Sequence, residues 1–166
     1  VLNAKPGTRL ELNTTGPTHH RLTLSRGEID VRVWAPPGRV GVHTPAGDVI
    51  DLGCIFSLAV DEAGAAHLTV HTGWVNLVTT RGSSFIPAGA SASMTAGRAP
   101  QVPVYDDAAD TFKRAVRALE SNAELVDSPS IRTLTQQARP RDAITLLLLS
   151  SIDGLDRDTR TALLET

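Results

Sequence analysis

The side chains that could do chemistry are few and widely spaced. Five histidines stand at His19, His20, His43, His67 and His71. His67 and His71 would share one face of a strand, but four residues at ~3.3 Å each put them about 13 Å apart, too far for one metal ion without a bend. His19 and His20 point to opposite faces if extended. A metal centre of the cupin type needs two histidines two apart with a third and a carboxylate, and that spacing is missing, so these histidines read as surface or strand-edge residues. Asp48 and Asp51 fall on opposite strand faces. Asp61-Glu62-Ala63-Gly64 is turn chemistry. A carboxylate pair for glycoside hydrolysis would have to be assembled by the fold.

Nucleophiles are equally unorganised. Ser83-Ser84 and Ser91-x-Ser93 lack the strand-turn-helix context of a nucleophile elbow. Cys54, the one cysteine, lies between Leu52, Ile55 and Phe56, with no cationic neighbour in sequence to favour a thiolate. It reads as a buried, inert thiol. Trp34 and Trp74 are the candidate contacts for a ligand or partner: they could stack on a sugar, or close the ends of a sheet. No cofactor is called for.

The elements that must position these residues change character near Tyr105. Before it, Gly and Pro recur between short alternating runs. Strands are expected at 9–12, 21–24, 28–34, 39–43, 48–52, 55–60, 67–71, 74–79, 84–86 and 91–95, with a turn at Ser25-Arg26-Gly27. After it the period becomes helical. Asp106 and Asp107 are placed to cap a helix from Ala108, whose inner face is Phe112, Ala115, Val116, Leu119 and Ala123. Ser128-Pro129 opens a second helix, and two more are expected from Pro140 or Arg141 to about Ser151 and from Asp156 to Leu164. Segments this short are marginal alone, so a helical arm packed partly on the β-domain is expected. The expected fold is mainly β, a solenoid-like or double-sheet domain at 1–104 with a C-terminal α-helical extension at 105–166.

Composition narrows the function classes. The 166 residues are 41% hydrophobic, 20% charged and only 4% aromatic, so the core must rest on aliphatic side chains. A net charge of −2 gives no reason to expect nucleic acid. No apolar run approaches the length of a membrane span. The start, Val1-Leu2-Asn3-Ala4, has neither an initiator Met nor a signal-peptide pattern, and reads as the start of a piece of a longer protein.

Three segments together resemble a known family. They are Leu24-Ser25-Arg26-Gly27-Glu28-Ile29-Asp30-Val31; then Val40-x-Val42-x-Thr44-Pro45-x-Gly47-x-Val49-x-x-Leu52-Gly53-Cys54-x-Phe56-x-Leu58; then Leu68-x-Val70-x-x-Gly73-x-Val75-x-Leu77, followed by Ile86-Pro87-Ala88-Gly89. In order and spacing, over roughly residues 20–95, they resemble the FecR domain of transmembrane regulators of extracytoplasmic-function sigma factors. The family usually shows Leu-Gly-Thr-x-Phe where this chain has Leu-Gly-Cys-x-Phe. Ala138 to Leu146 also resembles a tail that follows such domains, without a function attached to it.

The resemblance implies a non-enzymatic sensing domain that works by protein–protein contact. It would sit on the periplasmic side of a bacterial inner membrane, anchored through an N-terminal span absent from this sequence, and would meet a protein partner in the cell envelope. Helices after Tyr105 replace the small α/β module that meets the transporter in the iron-uptake branch. The motif residues Gly27, Thr44, Pro45, Gly47, Gly53, Phe56 and Gly73 are expected to shape corners, the glycines because a Cβ would clash. Two rival readings are a carbohydrate- or envelope-binding β-module and a cupin-like metal enzyme.

Overall fold

The computed structural model describes residues 1–16, 19–34, 36–121 and 128–166. They form two compact units, 1–101 and 102–166. The first is a curled sheet in two wings that share one long strand. Its strands are β1 (Leu2–Ala4), β2 (Arg9–Thr15), β3 (His20–Arg32), β4 (Val40–Thr44), β5 (Gly47–Asp51), β6 (Ile55–Val60), β7 (Ala66–Thr72), β8 (Trp74–Thr79), β9 (Gly82–Pro87) and β10 (Ala90–Met94). One wing runs β10-β7-β6-β3, using the C-terminal half of β3, with β1 also paired to that half. The other runs β3-β4-β5-β8-β9, using the N-terminal half, with β2 also paired to it.

Only β3 with β4 is parallel among the described pairs. The tight corners therefore serve hairpins and passages between wings rather than the coils of a solenoid. Alternation does the rest. Leu22, Leu24, Val42, Val49, Val75, Leu77 and Ile86 are buried in one wing, and Ile29, Val31, Phe56, Leu58, Leu68, Val70, Ala92 and Met94 in the other. Their neighbours in sequence face the opposite way.

The turn expected at Ser25-Arg26-Gly27 is not there: the chain runs straight through as β3. What the glycine does instead is kink the strand where the wings part. Gly27 has φ +98°, and a Cβ on it would lie 2.5 Å from Thr8 Cα. Thr8 closes against the same point, its Oγ1 accepting from Glu28 N (3.1 Å) and donating to Glu28 O (3.0 Å). The three-residue β1 escaped the sequence reading because its stability comes from its partner strand, not from any local pattern.

The helical unit opens with a short strand, β11 (Val104–Tyr105). It continues with α1 (Asp110–Ser121), α2 (Ser128–Gln137), a 3-10 turn at Pro140–Asp142, α3 (Ala143–Ser150) and α4 (Arg157–Leu164). It has its own core. Val102, Val104, Phe112, Val116, Leu119, Leu134, Leu146, Leu149 and Leu163 are buried together; Ala123 lies outside the described residues. Asp156 caps α4, accepting from Thr159 N at 2.8 Å. The first helix starts later than expected, because Asp107 is engaged elsewhere: its carboxylate pairs with Arg139 (3.0 Å) and Arg141. Arg139 also grips Asp142 through Nε (2.8 Å) and Nη2 (3.0 Å), and Arg141 lies over the Tyr105 ring at 4.7 Å. Thus the Arg139-Pro140-Arg141-Asp142 segment is a clasp joining the start of the unit to its third helix. Glu120 accepts from Val102 N and from Arg117; burial pushes its carboxyl up, against the pull of Arg117.

Candidate functional site: the two exposed faces of the β unit

Four of the chain's passages between wings lie within β3 at Gly27, between β5 and β6 at Gly53, between β7 and β8 at Gly73, and between β9 and β10 at Gly89. All four glycines have positive φ. The passages abut one another. Leu52 N donates to Trp74 O (3.1 Å) and Ala88 N to Gly73 O (3.0 Å). At Gly73 the fit is closest, since a Cβ would fall 2.1 Å from Gly53 O. Gly53 itself differs from expectation: a Cβ there would meet nothing within 4 Å, so its φ of +87° rather than crowding is what asks for glycine. Gly47 belongs to the β4–β5 hairpin, where a Cβ would come 2.4 Å from Val78 O. Thr44 closes that hairpin around Pro45, its Oγ1 donating to Gly47 O at 2.8 Å. Phe56 is buried in β6.

Beside the Gly53 passage lies Asp51, 1% exposed although it is a carboxylate. Its Oδ1 accepts from Gly53 N (2.9 Å), Cys54 N (3.0 Å) and Cys54 Sγ (2.6 Å). Burial first, and then the adjacent carboxylate, push the Cys54 thiol well above its ordinary range. Cys54 is therefore a hydrogen-bond donor in a corner and a poor nucleophile.

One exposed face is mainly polar. Across five strands the register sets Ser91, Thr69, Ser57, Asp30 and Asn3 in a single row. Three residue types of a hydrolase triad meet here: Ser57 Oγ is 2.6 Å from Asp30 Oδ1 and 2.8 Å from His71 Nε2. The order is wrong for catalysis. The serine proton goes to the carboxylate, so the imidazole must donate to Ser57 Oγ rather than take its proton, and among the described residues no carboxylate orients the ring. His67 bonds Ser93 Oγ (2.9 Å) on the same face. Among the described residues no three His, Cys, Asp or Glu side chains converge as a metal site.

The other exposed face is mixed. Its rows run Thr23, His43, Asp48, Val78, Ser83 and Arg21, Gly41, Ile50, Asn76, Phe85. A groove of about 300 Å³ opens over β2 to β5, lined among others by Asn13, Arg21, Thr23, Gly41, His43 and Ile50. Gly41 gives room to the Arg21 side chain lying over it: a Cβ there would lie 2.8 Å from Arg21 Nη1. Thr23 donates to Asn13 Oδ1 (2.8 Å), and His43 Nδ1 meets Asp48 Oδ1 at 2.7 Å. Two rungs further on, Phe85 and Trp74 are 45% and 44% exposed. Trp34, just past β3, is 83% exposed. The sequence reading singled out His43, Asp48 and the tryptophans separately. It missed Arg21, Ile50, Asn76 and Phe85, although a tight turn at Pro45-Ala46 already pairs residue 43 with 48 and 41 with 50.

Wings joined by glycine passages define a β-sheet module of curled, mainly antiparallel type, followed by a helical unit. Two crystal structures share this fold, at 1.65 and 2.50 Å, of a protein from Parabacteroides distasonis ATCC 8503 described as a "putative anti-sigma factor". They superpose with TM-scores of 0.52 and 0.51 at 17% and 16% identity, over 69% of this chain. The chain spans 54% of the length of those proteins. No protein-family model matches it, and no curated protein does.

Proposed function

We propose that this chain is the extracytoplasmic sensing part of a membrane-anchored sigma-factor regulator of the FecR kind, acting by protein–protein contact rather than catalysis. The observation that carries the reading is the fold held in common, over 69% of this chain, with a protein described as a "putative anti-sigma factor". The three spaced segments between Leu24 and Gly89 support the FecR assignment. In this reading the domain lies on the periplasmic side of a bacterial inner membrane and belongs to a longer single-pass protein. No helix among the described residues is long and apolar enough to cross a membrane; in this reading the span is assigned to another part of that protein.

The test uses the full-length protein in its own cells. An alkaline-phosphatase fusion after Thr166 should be active, and deleting the protein should change transcription from promoters of one extracytoplasmic-function sigma factor several-fold. An inactive fusion, or a sigma-factor programme indifferent to the deletion, overturns the proposal. The exposure of Trp34 and Trp74 favours one second reading, an envelope-glycan module; cell-wall binding lost in W34A/W74A would support it.

A further inference from the structure

We infer that the exposed face of the β2–β9 wing is the docking surface for the partner, and that its occupant is an extended protein segment carrying an acidic residue close to apolar ones. The inference rests on the reading of the chain as a module that works by protein contact. The occupant's chemistry follows from the row Arg21, Gly41, Ile50, Asn76, Phe85.

At one end stands a guanidinium in no ion pair with a carboxylate among the described residues; its polar contact within the chain is a long one, from Nη1 to His20 O at 3.3 Å. Asp48, two strands away, is engaged with His43, and Glu11 on β2, across from Thr23, forms no ion pair with Arg21 among the described residues. Arg21 is therefore free to take an incoming carboxylate in its fork. In the middle, Ile50 supplies an apolar floor. Beyond it the half-buried Asn76 continues the row toward β9. At the far end Phe85 is half exposed, the kind of aromatic anchor on which binding energy concentrates. Four strand spacings of ~4.8 Å separate Arg21 from Phe85, about 19 Å, which an extended segment of roughly six residues covers. The acidic side chain and the first apolar one should lie about two to four residues apart.

Photo-crosslinking in cells with the full-length protein tests this. Benzoylphenylalanine replaces Phe85 on this face, or Thr69 on the opposite one; Phe85 is half exposed, so the substitution does not depend on core packing. Position 85 should give an adduct whose crosslinked peptide, mapped by mass spectrometry, holds Asp or Glu within four residues of an apolar side chain. Arg21→Glu should cut its yield about tenfold or more, and Arg21→Lys less, as expected for a charge pair. Several outcomes overturn the inference: no adduct at 85, equal adducts at 85 and 69, an adduct to a second copy of this chain, or a yield indifferent to Arg21→Glu. The sigma-factor transcription readout separates this inference from the one it rests on. An acidic–apolar adduct with unchanged transcription would sink the regulator and spare the surface, whereas a responsive programme with adducts only at 69 would do the reverse.

Discussion

Across one wing of the β unit the exposed row reads Ser91, Thr69, Ser57, Asp30, Asn3; across the other it reads Arg21, Gly41, Ile50, Asn76, Phe85. Both rows lie on the same kind of scaffold, five strands wide, and both have buried aliphatic residues on the reverse side. The first satisfies itself, since hydroxyls, imidazoles and a carboxylate exchange hydrogen bonds along the sheet. The second leaves a guanidinium outside any ion pair among the described residues and an aromatic ring half exposed. A face closed on itself resists adventitious pairing, while a face with unmet groups in a fixed pattern is suited to recognition. The difference shows that a sheet's exposed side is informative only row by row, after the register is known.

The comparison presupposes that the wings are held in fixed relation by the glycine passages, and the hardest blow to it is at Gly73. Gly73→Val adds a β-branched side chain at φ +76°, where the first carbon alone would fall 2.1 Å from Gly53 O. We expect a loss of more than about 4 kcal/mol, enough to unfold a marginal domain. Gly53→Ala, at φ +87° with open space around it, should cost only about 1–2 kcal/mol, the strain of a left-handed alanine. Chemical denaturation measures both. If Gly73→Val proves as mild as Gly53→Ala, the passages are not what fixes the wings.

Next in size is the corner behind the passages. Asp51→Ala removes the acceptor of two buried main-chain N–H groups and the Cys54 thiol, and should cost about 2–4 kcal/mol. Cys54→Thr keeps a donor of similar size and should stay within about 1 kcal/mol of the parent, whereas Cys54→Val, which keeps the volume and loses the donor, should fall between the two. Urea midpoints rank the three. The same thiol sets an alkaline slope. Its ordinary value is 9.0 and the fold raises it, so the unfolded chain ionises first. The stabilisation is complete below about pH 9 and declines as pH rises above it. Denaturation midpoints at pH 8 and pH 10 should diverge in the parent and converge in C54T; a parent without that slope would show that the thiol is less enclosed than Asp51 makes it.

Much of the scaffold was readable from the residues. β6 and β8 have the bounds that alternation assigns them, and Asp156 and Ser128-Pro129 mark real helix starts, because these signals are local. β3 was cut in two because Ser-Arg-Gly has the composition of a turn; the positive φ at Gly27 serves a kink against Thr8, nineteen residues away in sequence, and nothing local distinguishes the two uses. The candidate surface was legible only in fragments. His43 and Asp48 are linked by one hairpin, but Arg21 meets Gly41 through a parallel pairing and Phe85 joins the row through β8. Such registers are set by the packing of the apolar side, which a single sequence does not display. Trp34 and Trp74 drew notice by residue type; Asn76 carried no such flag.

The smallest expected effect is at Ser57, and it bears most directly on whether the polar face is inert. The hydroxyl lies on exposed surface between Asp30 and His71, so Ser57→Ala should change stability by no more than about 0.5 kcal/mol. Its chemical consequence should be nil. A nucleophilic serine needs its proton drawn toward an imidazole that a carboxylate holds in the accepting tautomer; here the carboxylate takes the serine proton directly and leaves the imidazole to donate. The parent and S57A should therefore hydrolyse p-nitrophenyl acetate at the same rate, and His71→Ala should not alter it. Hydrolysis that disappears in S57A would mean that the proton lies between Ser57 and His71 after all. The polar row would then be a site of reaction, and the contrast between a self-satisfied face and a receptive one would have to be redrawn.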